Sequence, residues 1–345
     1  MKTKDFEYNL PKERIAQQPI EPRDASRLLI LNRSDGSREH AHFRDLKRFL
    51  RDGDLLVCNE SRVIPARLCG YKSETGGQVE VLLLRQLEAC RWEGLTRGRR
   101  IRPGLKLDFE VPGEPKLQAT VEDIVEGGKR VLCFSRPIGV LLEKLGVVPL
   151  PPYIHETLAD PERYQTIYAR VTGSVAAPTA GLHFTPSLIE QLGKKGVRFA
   201  FVVLHIGLDT FRPVDVEELE DHPMHAEWCR LPPQVVEAVL ATRQAGRRVV
   251  AVGTTAVRVL EAGAQIGESQ GKVLAPFEGW TRLFIYPGYQ FRVVDALVTN
   301  FHLPRSTLLM LVSAFAGHEM ILQSYEEAVF KGYRFYSFGD AMFIL

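Results

Sequence analysis

Two hydrophobic periods alternate along the chain. Runs such as "RLLILN" (27–32), "DLLVCNE" (54–60) and "VRFAFVVLHIG" (197–207) are apolar almost without interruption. That is the pattern of strands buried on both faces of a sheet. Other segments carry apolar residues three and four positions apart and predict amphipathic helices: "LPKERIA", "HFRDLKRFLRDG" ending at Gly53, "TPSLIEQLGKKG" and "PPQVVEAVLATRQAG". In the third, Thr185 is placed to cap the helix and Pro186 to open it. The alternation continues with strand "RRVVAVGTT", helix "AVRVLEAGAQ", strand "VVDALVTNF", helix "TLLMLVSAFAG" and closing strand "RFYSFGDAMFI".

The texture differs between about Arg67 and Ser135. Short strands such as "ARLCGYK", "QVEVLLLRQLE", "RWEGLTR", "KLDFEV", "LQATVEDIVE" and "RVLCFS" follow one another, separated by Gly and Pro pairs. Turn signals at this spacing predict an antiparallel barrel or sandwich. The expected fold class is α/β. A discontinuous catalytic domain, barrel-like or mixed-sheet, spans 1–66 and 150–345, and a small antiparallel β-barrel domain is inserted at 67–149.

Composition narrows the partners. The formal net charge is only +2, so contact with nucleic acid must rest on local patches. The densest is "RGRRIR", which holds Arg97, Arg99, Arg100 and Arg102. No apolar run approaches a membrane span, and "MKTKDFEYNL" lacks the apolar region of a secretory signal. The five cysteines are scattered, odd in number and without a C-x-x-C. This pattern predicts a reducing, cytoplasmic setting without disulfides or a zinc knuckle.

Candidate chemistry gathers where strands end, the place where α/β sheets bind ligands. "CNESR" offers Asn59 and Arg62, "GSVAAPTAGLHFT" offers Thr179, Gly181 and His183, and "LHIGLDTF" offers His205 and Asp209. "VGTTAVR" offers Gly253, Thr254, Thr255 and Arg258, and "VTNFHLPRST" offers Asn300 and His302. The glycine-to-helix step in "VGTTAVR" suits an anion or carboxylate, because a helix N-terminus presents free N–H groups. The same threonines also suit simple helix capping. There is neither a P-loop nor a G-x-G-x-x-G. "DHPMHAEW" has two histidines beside carboxylates, but Pro223 interrupts the helix that would align them, and no metal site is expected.

Long strings match one family in order: "FEYNLPKERIAQQPIEPRDASRLLILNR", "GDLLVCNESRVIPARLCG", "GSVAAPTAGLHFT", "VVLHIGLDTFRPV", "HPMHAEW", "AVGTTAVRVLE" and "FIYPGYQFRVVDALVTNFHLPRSTLLMLVSAFAG". The chain resembles the S-adenosylmethionine:tRNA ribosyltransferase-isomerases of queuosine biosynthesis. The resemblance spans the whole chain and is looser between about Gly70 and Pro149. One departure is Asp209, which stands where family members usually carry glycine.

The resemblance implies that S-adenosylmethionine donates its ribosyl part to the aminomethyl group of 7-aminomethyl-7-deazaguanine at the tRNA wobble position. Isomerisation then gives epoxyqueuosine, with release of adenine and methionine. It implies no bound cofactor or metal beyond the co-substrate consumed, and the chain is taken as a monomer. The acidic C5′ hydrogens beside the sulfonium call for a general base, and departing adenine calls for an acid. From their chemistry, His183 and His205 are expected in these roles, with Asp209 beside them. Asn300 and His302 are expected on ribose hydroxyls, Thr254 and Thr255 on the methionine carboxylate, and Asp340 or Asp221 on its ammonium. Asn59, Arg62, Thr179, Gly181, Gly253 and Arg258 complete the expected substrate site. The arginines from Arg97 to Arg102 are expected on anticodon-arm phosphates. Two other readings remain open: an S-adenosylmethionine-dependent RNA methyltransferase, against which the missing glycine fingerprint counts, and an RNA-binding protein without catalysis.

Overall fold

The apolar runs become neighbours in one sheet. The computed structural model describes residues 1–207 and 214–345, in two units. The first comprises Met1–Ser61, Pro152–Val171 and Ala177–Leu345, and the second Arg62–Pro151 with Thr172–Ala176.

The first unit carries a nine-stranded mixed sheet. Strands Arg198–Leu204, Leu55–Asn59, Val249–Val252 and Ala296–Asn300 lie side by side in parallel. Next to Asn300 comes Ala341–Ile344, antiparallel to Ala296–Asn300 and parallel to Arg27–Leu31. Every residue of Leu55–Asn59, Val249–Val252, Ala296–Asn300 and Ala341–Ile344 is buried, as expected of strands covered on both faces. Of the two architectures left open by the sequence, the open mixed sheet is the one formed.

The sheet edges were not legible in the pattern. Arg38–His42 pairs antiparallel outside Arg27–Leu31. Glu227–Leu231 and then Phe277–Thr281 extend the opposite side. Their polar and half-buried residues, "REHAH" and "FEGWT", do not read as strands, because edge strands are kept polar against further pairing. Helix His318–Phe330 was also unread, and the segment 42–53 forms a 3-10 turn, Phe43–Asp45, followed by one α turn, Leu46–Phe49. Helix Pro186–Lys194 starts as expected, with Thr185 Oγ1 accepting from Leu188 N at 3.2 Å and Pro186 in the first turn.

The second unit contains a closed antiparallel barrel of six strands. Arg67–Lys72, Gln78–Gln86, Arg91–Arg97, Lys129–Phe134, Leu117–Val125 and Lys106–Phe109 follow one another round it. Pairing of Tyr71 with Asp108 and Lys72 with Leu107 closes the ring. Alternate residues such as Val79, Val81 and Leu83 fill the interior with Leu107, Phe109, Leu132 and Phe134.

Candidate functional site

Along one edge of the mixed sheet, four parallel strands end and two others begin. His205, Asn59, Gly253 and Asn300 mark the four ends, and Ser26 and Asp340 precede the two starts. At ~4.8 Å per interstrand step, His205 and Asn300 stand about 14 Å apart. His183 sits with Asn300, so the two histidines expected to act together occupy separate places on the edge.

His183 is reached through a 3-10 turn, Thr179–His183. Gly181 makes this turn possible: a Cβ there would lie 2.2 Å from Tyr168 Oη. The glycine therefore admits a buried tyrosine of the protein itself. Thr179 Oγ1 donates to Asn300 Oδ1 at 2.9 Å, and Asn300 Nδ2 donates to His183 Nε2 at 3.2 Å and to Tyr336 O at 3.3 Å. His183 Nδ1–H then donates to Ser26 Oγ at 2.8 Å. The ring stacks on Phe43, with centroids 4.9 Å apart. Burial, helped by the charges of Arg334 and Arg23, pushes its pKa down to about 3. Both nitrogens are occupied and the ring is neutral.

Three other expected ligand residues are engaged by the protein itself. Asn59 donates to Leu204 O and accepts from Ser61 N and Leu204 N. Asp340 accepts from Arg27 N and Arg334 N, each at 2.8 Å, and burial raises its carboxyl. His302 bonds Thr299 Oγ1 at 2.8 Å, and burial drives its pKa down to about 3. Asn59 and Asp340 share one cause, while His302 is held by a side-chain hydroxyl. Backbone groups at a buried sheet edge need partners, and short polar side chains supply them.

His205 differs. Ser61 Oγ gives its single proton to Leu204 O at 2.7 Å, so the 3.3 Å contact from His205 Nδ1 must carry the imidazole proton. The lone pair is left on Nε2, which has no hydrogen-bond partner among the described residues. The ring stacks on Trp228 at 5.1 Å and 16°. Burial, then the charge of Arg230, lowers its pKa to about 4. Trp228 and Ser26 were the residues missed here. Their only sequence signals are a tryptophan after "HPMHA" and a serine before an apolar run.

Between these places lies the start of helix Thr254–Ser269. Its N-cap is Gly253, with φ 87° and ψ 154°, and not a threonine, which corrects the capping alternative. Thr254 and Thr255 are more than nine-tenths buried, and Thr255 Oγ1 has no hydrogen-bond partner. One turn on, Arg258 pairs through Nη1 with Glu227 and donates Nε to Leu283 O at 3.0 Å, while its Nη2 is buried without a partner. Thr307, in the first turn of the helix after the neighbouring strand, also buries an unpartnered Oγ1. Unpartnered donors at a helix start are groups that an anion would satisfy.

Of the remaining expected residues, Asp209 lies outside the described residues. Arg62 belongs to the second unit. So do Arg97, Arg99, Arg100 and Arg102, all exposed at the end of strand Arg91–Arg97 and in the loop after it. Among the described residues no group of three His, Cys, Asp or Glu could hold a metal ion, and no helix is long and apolar enough to cross a membrane.

Comparison with known proteins gives consistent matches. The queuosine biosynthesis protein family matches residues 3–344. The S-adenosylmethionine:tRNA ribosyltransferase-isomerase of Moorella thermoacetica is 56% identical over 349 aligned residues, covering 100% of both chains. That of Symbiobacterium thermophilum is 55% identical with the same coverage. The crystal structure of S-adenosylmethionine tRNA ribosyltransferase from Thermotoga maritima superposes with a TM-score of 0.58 at 43% identity, covering 99% of this chain and 100% of that one.

Proposed function

We infer the reaction from one premise: the chain belongs to the queuosine biosynthesis protein family. It is a transferase and isomerase that moves the ribosyl part of S-adenosylmethionine to tRNA. The acceptor in our reading is the aminomethyl group of 7-aminomethyl-7-deazaguanine at the wobble position, and adenine and methionine are released. The enzyme is read as a cytoplasmic monomer that consumes its co-substrate and needs no resident cofactor.

The observation that carries the site assignment is the pair of orphaned donors, Thr255 Oγ1 and Arg258 Nη2, in the first turns of a 16-residue helix. They take the methionyl carboxylate, which supplies the acceptors they lack. His205 stands two strands away, about 10 Å at the usual spacing. The extended methionyl arm spans such a gap and brings C5′ toward Nε2. His205 Nε2 then removes the acidified C5′ proton and begins the expulsion of adenine. The acceptor amine attacks in its uncharged form, and the epoxide oxygen displaces methionine last. His183 and Asn300 are positioning residues: with Thr179 they hold the turn beside Gly253, where Ala180 Cβ lies 3.5 Å from the place of a Cβ on that glycine. Asp209 is kept as a candidate in the same reading.

Product analysis tests the reaction. With S-adenosylmethionine and tRNA carrying the aminomethyl base, adenine and methionine should appear in equal amounts and only when that base is present. S-adenosylhomocysteine in their place would establish the methyltransferase and overturn this reading.

A further inference from the structure

Arg170 and Arg230 are not among the residues expected at the strand ends, yet both line a groove of about 740 Å³ with Glu60, Phe199, Phe201 and Phe277. Alternate residues of a strand share a face, and so do residues opposite one another in an antiparallel pair. Val203 lies opposite Arg230, and His205 N donates to Trp228 O. Phe201, His205, Trp228 and Arg230 therefore share one face of the sheet, and the face that carries the groove runs on to His205.

The two arginines are prepared differently. Arg170 gives Nε and Nη2 to the same Glu60 oxygen, at 3.0 and 2.8 Å. Its guanidinium carbon lies 4.9 Å from the centre of the Phe201 ring, and its side chain is 64% exposed. It is a planar cation fixed by a carboxylate and backed by an aromatic ring, with solvent on its other side. Arg230 makes no side-chain hydrogen bond or ion pair among the described residues, and its Nε is buried without a partner.

We propose that this groove seats one unstacked nucleotide of the RNA substrate, next to the reacting base. Its nucleobase stacks on the Arg170 guanidinium and its phosphate binds Arg230. The proposal rests on the tRNA reading above. A planar cation with an open face calls for a π-surface, and an unpaired guanidinium calls for an anion. A nucleotide supplies both in one unit, whereas an acidic peptide supplies only the anion.

The test compares wild type, R170K, R170A and R230Q for binding of tRNA carrying the aminomethyl base, over a range of salt. R170K keeps the charge and removes the plane, so R170K and R170A should each weaken binding by about tenfold. R230Q should weaken it about as much and lower the slope of log K against log salt by about one, while R170K leaves the slope unchanged. The KM for S-adenosylmethionine should stay at the wild-type value in all three, and so should the melting temperatures. Unchanged tRNA affinity in the variants overturns the proposal. So does R170K binding like wild type while R170A is weak, since charge alone would then suffice. A raised KM for S-adenosylmethionine with unchanged tRNA affinity would assign the groove to the small substrate. Adenine release by the wild type is followed in parallel. No release together with groove-dependent tRNA binding sinks the reaction and spares the groove, and release with groove-independent binding sinks the groove alone.

Discussion

At the scale of the residue, one hydrogen bond to Nε2 separates two histidines that the sequence presents as equals. Ser61 has one hydroxyl proton, and Leu204 O takes it, so His205 must donate from Nδ1 and keep a lone pair on Nε2. Asn300 imposes the same tautomer on His183 but occupies the nitrogen that would act. His205→Gln should therefore lower kcat by at least ~100-fold, the usual worth of a general base, with little change in affinity for S-adenosylmethionine. His183→Gln should act mainly on stability, lowering it by ~1–3 kcal/mol through unmatched buried partners. Single-turnover rates and melting curves on both variants check this, and equal losses of rate would refute the distinction. Acidity is the second consequence. His183 and His302 titrate at about 3 and His205 at about 4, below the ordinary 6.5. Below 6.5 the unfolded chain binds protons that the folded chain refuses, so stability falls as the pH drops toward 4. Melting temperatures taken downward from neutral pH should decline steadily, and a flat profile through that window would count against buried neutral imidazoles. Both histidines were visible at strand ends in the sequence. Their tautomers were not, because the partners that fix them lie 117 and 144 positions away.

At the scale of the element, the helix Thr254–Ser269 shows what a local signal conveys and what it leaves open. A strand, a glycine and two threonines predicted a helix start, and the start is there. Whether the threonines cap it or serve a ligand was undecided locally. Gly253 adopts a φ of 87° that disfavours other residues, and this frees both hydroxyls from capping. An unpartnered buried hydroxyl is a cost in the free enzyme and a contact in the complex. Thr255→Val, close in shape, should leave the melting temperature unchanged or raise it, while the KM for S-adenosylmethionine rises ~10-fold or more. A purely structural threonine would show the reverse, a lower melting temperature and an unchanged KM. Other elements were illegible for identifiable reasons. Arg38–His42 and Phe277–Thr281 are edge strands with polar residues, so their period is weak. Asn59 and Asp340 look like ligand residues in a string, since the string does not show which backbone groups need them, and His302 does so because the string does not show its bond to Thr299 Oγ1.

At the scale of the whole molecule, the short strands of the second unit and their barrel were legible from Gly and Pro punctuation, but the pairing that closes the barrel was not. Closure depends on Tyr71 meeting Asp108, a pairing that no local pattern encodes. Charge behaves similarly. A net charge of +2 conceals four arginines within residues 97–102, all exposed and none in an ion pair among the described residues. Most other surface cations on this barrel have carboxylate partners, as Arg91 has Glu88 and Glu122, and Lys144 has Glu114. Unpaired, clustered guanidinium groups cost little only where water or a polyanion faces them. We therefore expect this loop to meet tRNA phosphates. Each arginine that does so contributes ~0.7–0.9 to the slope of log K against log salt. Replacing Arg97, Arg99, Arg100 and Arg102 together by glutamine should then reduce that slope by up to about 3.6 and raise the KM for tRNA. The rate at saturating tRNA should hold, because none of the four belongs to the unit that carries His205 and Thr255. A salt titration of binding and a kcat measurement at high tRNA separate the outcomes. An unchanged slope would remove the loop from the tRNA interface, and a loss of kcat at full saturation would give it a part in the reaction beyond holding phosphates.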